Sequence, residues 1–385
     1  MTDKKQSRKA DGGARDMPWE PRVWNGMTLK TWFSLLSRNG FRVSPTRVPM
    51  AMINTGLSVA NSGLALAQQM AFGRKIGKCQ LADDPVFILG HWRTGTTWLH
   101  ELLVLDERHA FPTTYECLTP SHFLFSEALT SWWLWMLMPR RRPMDNVRIG
   151  LDSPQEDELA LCSLGARSPY LTWAFPNRPP QDEKYFDLRD LSSEELESWK
   201  STFDSFLRSV QVKNPGKRII LKSPTHTFRV PVLLDMFPNA RFVYLVRDPF
   251  VVFPSMMKTW KRLHRYHGAQ VPNHDGLEEY VFKNFEHLHR VFEEDRDKIA
   301  PERLCVLRYE DLVSAPVERT KEIYDNLDLG GFDDVQPKLK QFVAGLSDYV
   351  PNRHDLPVEL HEQIATRCAD YIKKYGYSSE PPSQN

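Results

Sequence analysis

A short apolar run followed by a glycine-bounded loop most constrains the fold of this chain. Residues 86–89 (Val-Phe-Ile-Leu) have the length and composition of a buried parallel strand, and Gly90 and Gly95 then bracket a tight turn. Residues 96–103 are predicted to form the first turns of a helix. Such a strand, loop and helix N-terminus present unpaired backbone N–H groups and a positive dipole end, so the stretch predicts a phosphate-binding site.

The position of the basic residue distinguishes this loop from the phosphate-binding loop of a nucleotide triphosphatase. The spacing fits Gly-x-x-x-x-Gly, but Thr96 stands where a nucleotide triphosphatase carries its lysine. The basic residue lies inside the loop instead, at Arg93.

Three further apolar runs predict additional strands, each followed by polar groups. They are residues 218–221 before Lys222, residues 241–246 before Arg247, and residues 304–307 before the sequence Arg308-Tyr309. Strands that alternate with helical segments indicate an α/β fold, a central parallel sheet with helices on both faces. Ligands bind outside the carboxyl ends of such strands, so we expect the polar groups after all four strands to converge on one edge.

The composition limits which partners and which cellular compartment we expect for this chain. Fifty basic and forty-nine acidic residues give a net charge of +1, so bulk charge argues for no nucleic-acid partner. The five cysteines are widely spaced and form no Cys-x-x-Cys pair, which predicts reduced thiols in a cytoplasmic setting and no metal site. The polar start of the chain predicts no secretory signal, and no apolar run is long enough to predict a membrane span.

The chain divides into four predicted segments. Residues 1–20 are expected to form a disordered tail, residues 21–83 an N-terminal helical segment, residues 84–378 a single α/β domain, and residues 379–385 a second tail.

Residues 48–72 predict a helix with a polar stripe, because amides recur every seven residues at Asn54, Asn61 and Gln68. The simplest interpretation is a helix packed on the main domain. A dimer contact through Gly56 and Gly63, or a helix lying on a membrane surface, stays open as an alternative.

Residues 128–138 predict an apolar helix that contains three tryptophans, and Pro139 and three arginines follow it. Residues 132–142 therefore predict a peripheral membrane contact or the wall of a pocket for an apolar acceptor, and a helix buried in the domain is an equal alternative.

Residues 151–164 also predict a helix, with Ser153 as its N-cap and Pro154 at its first position. The acidic residues of its first turn are most simply explained by the helix dipole, and the alternative is that Glu156 or Asp157 faces the site.

Four motifs in order resemble the sulfotransferases that use 3′-phosphoadenosine 5′-phosphosulfate (PAPS). Residues 90–99 are similar to the family's 5′-phosphosulfate loop, and Arg247-Asp248-Pro249 with Ser255 eight residues after the arginine is similar to its 3′-phosphate motif. Residues 221–224 and 308–312 look like segments of the bacterial and tyrosylprotein branch. The family usually has proline at the position of Trp92, so this residue departs from the pattern.

The resemblance implies a P-loop NTPase-like three-layer fold and PAPS as the co-substrate, with no metal. It implies that Arg93 binds the 5′-phosphate and sulfonate oxygens, that Arg247 and Ser255 bind the 3′-phosphate, and that Tyr309 contacts the nucleotide. The remaining cofactor-binding residues of the loop and the helix start would be Thr94, Gly95, Thr96, Thr97 and Trp98.

For catalysis, the resemblance implies that Lys222 neutralises charge on the bridging oxygen of the leaving phosphate. A base must also take the proton of the acceptor. Glu116 is the first choice, because the tyrosylprotein branch carries its catalytic glutamate near this position. His122 is the rival and His226 is the third candidate.

The predicted function is transfer of a sulfonyl group to an acceptor hydroxyl or amine by in-line displacement. The acceptor class is open among small molecules, lipids, carbohydrates and peptides. The alternatives are a P-loop kinase or NTPase, and a non-catalytic nucleotide-binding protein at the membrane periphery. We expect a cytoplasmic protein, with membrane association left open, and the oligomeric state cannot be read from the sequence.

Overall fold

Five parallel strands form the sheet of the computed structural model, which describes residues 21–137, 150–345 and 356–379 and, for residues 132–137, the backbone alone. The strand order is β2-β3-β1-β4-β5, and every neighbouring pair is parallel. The strands are β1 (Val86–Leu89), β2 (His109–Ala110), β3 (Arg218–Lys222), β4 (Arg241–Val246) and β5 (Leu304–Arg308).

The four strands predicted from apolar runs are confirmed, and β2 is the one that was missed. It contains only two residues and pairs with the start of β3, His109 opposite Arg218. A strand this short carries no period-2 pattern that a sequence could show.

The helices lie on both faces of the sheet, as predicted. Successive residues of a strand point to opposite faces, and here Phe87 and Leu89 belong to one buried cluster while Val86 and Ile88 belong to the other. The helices are α1 (Leu29–Arg38), α2 (Val48–Lys78), α3 (Thr96–Leu103), α4 (Thr114–Leu118), α5 (Phe123–Leu137), α6 (Asp157–Leu164), α7 (Ser193–Lys213), α8 (Val230–Met236), α9 (Pro249–His267), α10 (Leu277–Asp295), α11 (Tyr309–Ser314), α12 (Pro316–Asn326), α13 (Phe332–Ala344), α14 (Val358–Arg367) and α15 (Ala369–Tyr375).

Two predicted helix boundaries are wrong. Helix α2 continues past Gly73 to Lys78, and α6 begins at Asp157 instead of after Ser153. The Ser153 hydroxyl accepts a hydrogen bond from the Gly150 N–H (2.9 Å), so it closes a turn before the helix instead of capping it. Pro154 lies in extended backbone that pairs antiparallel with Thr113.

Some predictions fall on residues that the structure does not describe. These are the tail at residues 1–20, the arginines at residues 140–142 of the predicted membrane contact, and residues 380–385 of the second tail.

The polar stripe of α2 contacts both the rest of the N-terminal segment and the α/β domain. Asn54 accepts a hydrogen bond from the Asn25 side chain (3.0 Å), Asn61 donates to the Met27 carbonyl (3.1 Å), and Gln68 accepts from the Leu124 N–H (2.8 Å). The three amides are buried. The seven-residue spacing therefore marks the face of α2 that is directed into the protein.

His122 is part of this internal contact. Its Nε2 lies 3.1 Å from Oδ1 of Asn61, and its Nδ1 lies 2.8 Å from Oγ of Ser126. Burial lowers the pKa of the imidazole to about 4. His122 therefore joins α2 to the start of α5 as a neutral side chain.

His122 makes the stability of the fold depend on pH. Its pKa is lower in the folded chain than the value of ~6.5 in an unfolded one, so unfolding below that pH takes up a proton and stability falls as pH falls. Between pH 6.5 and pH 5 this histidine alone removes about 1.6 kcal/mol, because the slope rises toward ~1.4 kcal/mol per pH unit only below the pKa of the unfolded chain. Urea unfolding of the natural protein and of His122→Gln at both pH values measures this loss, which the variant should lack. Equal losses in both proteins would contradict the assignment.

Candidate active site

The loop between β1 and α3 adopts backbone conformations that its glycines make possible. Gly90 has φ +146° and Gly95 has φ +97°. A Cβ at Gly95 would lie 2.2 Å from the ring of Tyr309, so only glycine fits against this side chain. Arg93 is also left-handed, with φ +71°, a strained conformation that occurs preferentially at functional sites.

Four residues predicted to bind the donor lie together at the carboxyl edge of the sheet. Arg93 donates from Nε to the Ser255 hydroxyl (2.9 Å), and Arg247 donates from Nη1 to the Arg93 carbonyl (3.0 Å). The Arg247 guanidinium lies 4.0 Å from the centre of the Tyr309 ring. The segments after β1, β4 and β5 thus form one basic cluster beside the N-terminus of α3.

Two other loop residues are turned away from this cluster. The Thr94 hydroxyl and N–H both donate to the His91 carbonyl (2.7 and 3.2 Å), so Thr94 shapes the loop. The Trp98 ring stacks on Phe342 of α13, with centroids 5.7 Å apart. Thr96 and Thr97 begin α3, and the N–H groups of its first turn have no partner inside the helix.

Lys222 ends β3 and is held by a carboxylate that the sequence analysis named only as an alternative. Its Nζ lies 2.7 Å from Oε1 of Glu156, while Oε2 of Glu156 accepts a hydrogen bond from the Tyr170 hydroxyl (2.6 Å). The Tyr170 hydroxyl in turn accepts from Nε1 of Trp92 (3.0 Å). Burial and the nearby Glu156 raise the pKa of Tyr170 well above its usual value, so this phenol remains a donor.

Trp92 therefore makes a side-chain hydrogen bond that a proline at this position could not make. Its indole N–H connects the phosphate loop to Tyr170, and through Tyr170 and Glu156 to Lys222.

The acidic residues at the start of α6 bind the segment that follows β3. Asp157 accepts from Ser223 (2.9 Å) and lies 2.8 Å from Nε2 of His226, and all three side chains are buried. Burial raises the pKa of the Asp157 carboxyl, but the His226 imidazole and the Ser223 hydroxyl outweigh it, and the net pKa is lowered. The helix-dipole explanation of these acids is thus incomplete, because their side chains are engaged in long-range contacts.

Glu158, the third of the consecutive acidic residues 156–158, forms a buried ion pair. Arg229 donates from both terminal nitrogens to the Glu158 carboxylate (2.6 and 3.1 Å), and neither side chain has any exposed surface. Thr225 and Ser168 donate to the same carboxylate (3.0 and 2.5 Å).

The predicted bases occupy interior positions. Glu116 has no exposed surface, and its oxygens accept from the Lys213 ammonium (2.9 Å) and the Thr113 N–H (3.0 Å) in a capping box. Burial raises the pKa of Glu116, and Lys213 offsets only part of this shift. His122 and His226 are likewise buried against partners. None of the three is joined to Lys222 by a hydrogen bond in the described residues.

Residues 85–334 match the model of the Sulfotransferase family. The chain belongs to the sulfotransferase family. A relative 44% identical over 378 residues, 98% of this chain and 97% of its own length, is the omega-hydroxy-beta-dihydromenaquinone-9 sulfotransferase Stf3 of Mycobacterium bovis, and a Stf3 from Mycobacterium tuberculosis matches equally. The protein is thus an enzyme, a sulfotransferase.

Solved structures of mycobacterial sulfotransferases share the fold. STF9 from Mycobacterium avium matches with a TM-score of 0.67 at 17% identity, over 92% of this chain and 97% of that one. STF1 from Mycobacterium tuberculosis matches with a TM-score of 0.61 at 16% identity, over 96% and 98% of the two chains. The predicted three-layer P-loop type fold is confirmed.

The described residues contain no group of three or more His, Cys, Asp or Glu side chains placed to hold a metal ion. That the reaction proceeds without a metal stays a prediction. All five cysteines lie in the described residues as free thiols.

We expect Glu158→Gln to destabilise the sulfotransferase strongly. The change leaves the Arg229 cation buried without a countercharge, which costs about 3 kcal/mol or more. Urea unfolding monitored by tryptophan fluorescence measures the loss. Glu107→Gln is the matched control, because Glu107 pairs with Lys338 on the surface and its removal should leave the midpoint unchanged. A urea midpoint for Glu158→Gln equal to that of the natural protein would show that the Glu158–Arg229 pair does not stabilise the fold.

Proposed function

We propose that this sulfotransferase uses PAPS as donor and transfers its sulfonyl group to a hydroxyl of an apolar, lipid-like acceptor. The observation that carries the proposal is the cluster of Arg93, Arg247, Ser255 and Tyr309 at the N-terminus of α3, with Lys222 at the end of the neighbouring strand β3. Support for a lipid acceptor comes from the Stf3 relatives, which are named as sulfotransferases of a menaquinone derivative.

The residues of the cluster fit a donor with two anionic ends. The first-turn N–H groups of α3 and the Arg93 guanidinium suit the 5′-phosphosulfate, because a helix N-terminus and a planar cation both bind oxyanions. Arg247 and Ser255 suit the 3′-phosphate, and the Tyr309 ring offers a flat surface beside them. Thr94 and Trp98 would contribute through the loop shape and the helix backbone.

The donor supplies a sulfonyl group with a good leaving group, so the protein contributes positioning and electrostatic stabilisation. The acceptor oxygen forms a bond to sulfur as the bond from sulfur to the bridging phosphate oxygen breaks. The electron pair of that bond leaves with adenosine 3′,5′-bisphosphate, whose charge Lys222 neutralises. The acceptor proton goes to a base.

Glu156 suits the role of base better than Glu116. It is partly exposed and lies 2.7 Å from the Lys222 ammonium, whereas the Glu116 side chain has no exposed surface. When Lys222 turns toward the leaving phosphate, Oε1 of Glu156 loses that partner and can accept the proton. Tyr170 keeps the carboxylate oriented through Oε2.

Association with a membrane and a cytoplasmic location are further parts of the proposal. None of the helices in the described residues combines the length and the apolarity needed to cross a bilayer. The side chains of residues 132–142 lie outside the description, so their membrane contact stays a prediction from sequence.

Ligand-induced thermal stabilisation tests the donor. Adenosine 3′,5′-bisphosphate at 100 times its dissociation constant should stabilise the fold by about 2.7 kcal/mol, and ATP with Mg²⁺ should not. Arg247→Ala should remove the shift, while Arg290→Ala, on an exposed part of α10, should keep it. Stabilisation by ATP with Mg²⁺ alone would contradict the proposal.

Asp248 accepts from the Phe250 N–H as the N-cap of α9, which also disfavours a magnesium role for it.

A labelled-sulfate transfer assay tests the base. Glu156→Gln should lower kcat by about 10²–10⁴-fold, with donor-induced stabilisation retained. Glu116→Gln should keep kcat close to that of the natural protein, and Glu127→Gln controls for the loss of a Lys213 partner. Loss of turnover in Glu116→Gln together with normal turnover in Glu156→Gln would return the role to Glu116.

A further inference from the structure

Helix α2 exposes an apolar surface that the proposed chemistry does not use. Its most exposed members are Met52, Val59, Leu66 and Met70, whose side chains are 69%, 56%, 67% and 83% exposed. With Val48 and Ile53 they form what we call the outer face of α2.

The arrangement reverses that of an ordinary surface helix. Such a helix directs its apolar side into the protein and its polar side to solvent. Here the amides of Asn54, Asn61 and Gln68 are directed inward, and methionine, valine and leucine face outward. Extended apolar surface on a water-soluble fold marks a site of contact with a partner.

The outer face is also free of charge over a long distance. Residues 48–73 contain no Asp, Glu, Lys or Arg, and at 1.5 Å per residue they extend over about 39 Å. Arg74, Lys75 and Lys78 follow at the C-terminal end of the helix and are exposed.

Helix α1, which contacts α2, and the residues that follow it also expose apolar side chains. Its N-terminal residue Leu29 is exposed and donates its N–H to Ser62 of α2 (2.9 Å). Phe33 and Phe41 are exposed with their rings 6.4 Å apart, and Lys30 and Arg42 lie beside them in the chain.

The charge of the segment identifies the partner. Residues 21–82 contain eight basic residues and no acidic one, whereas the remaining 323 residues contain 42 basic and 49 acidic. A second copy packed face to face through α2 would also bring the basic residues that flank its own outer face close to these. An anionic lipid surface offers both an apolar layer for the outer face and negative headgroups for the flanking lysines and arginines.

We propose that the outer face of α2 docks the enzyme on the surface of an anionic membrane, with the helix in the plane of the interface. The inference rests on the proposed function in one respect: a lipid acceptor resides in such a membrane, so docking brings the enzyme to it. The docking itself requires neither donor nor acceptor.

Co-sedimentation of the full chain with vesicles tests the proposal. The protein should bind vesicles of phosphatidylcholine with phosphatidylglycerol and bind phosphatidylcholine alone much less. Met52→Glu with Leu66→Glu should lower the partition coefficient at least about tenfold, because each change places a charge in the apolar layer. Lys75→Gln with Lys78→Gln should lower binding to the anionic vesicles about fivefold per residue.

Val358→Glu with Val271→Glu is the matched control. These valines are equally exposed but lie on α14 and in the loop after α9, so vesicle binding should be unchanged. Thermal unfolding and stabilisation by adenosine 3′,5′-bisphosphate should be the same in all three double variants as in the natural protein.

Three results would overturn the inference. One is absence of binding to anionic vesicles, and another is equal binding by the outer-face variant and the natural protein. The third is a lipid-free dimer in light scattering that Met52→Glu with Leu66→Glu dissociates, which would assign the face to a second copy. Vesicle binding without turnover of any lipid acceptor would instead count against the proposed function alone.

Discussion

The site depends on three consecutive carboxylates that meet the segment after β3. Glu156 binds Lys222, Asp157 binds Ser223 and His226, and Glu158 binds Thr225 and Arg229. Charged groups leave water only when each is paired, so the run of carboxylates and the polar segment can be buried only together. This mutual requirement holds the end of β3, and Lys222 with it, at one place on the sheet edge.

The same contact connects the two halves of the candidate site. Glu156 reaches Lys222 with one oxygen, and with the other it reaches Tyr170, which is bonded to Trp92 in the phosphate loop. Because transfer catalysis of this kind depends on groups held in position, the hydrogen bonds from Trp92 through Tyr170 to Glu156 are a form of preorganisation of this carboxylate. The departure of Trp92 from the family's proline is part of that arrangement.

The fold could be predicted because its strands and its phosphate loop are marked by short stretches of sequence. The site could be predicted only in part, because many of its side chains contact residues that are distant in the chain. The apolar runs and the Gly90–Gly95 loop carry their structure in their own residues, so strands and sheet edge followed. The acids at residues 156–158 were interpreted as a helix start, because their basic partners Lys222, His226 and Arg229 lie more than sixty residues away in the chain. The surroundings of Glu116, the first choice for the base, could not be read locally either: its carboxylate lies in a capping box and contacts Lys213, 97 residues away in the chain.

Helix α2 shows that periodicity fixes the faces of a helix but not which face is directed outward. The amides at seven-residue spacing could have faced solvent, and hydrophobicity alone would have placed Met52 and Leu66 in the core. The deciding contacts lie in other segments: the buried carbonyl of Met27 accepts from the Asn61 amide, and the N–H of half-buried Leu124 donates to Gln68. Because the polar face of α2 contacts the rest of the protein, its apolar face is left exposed on the surface.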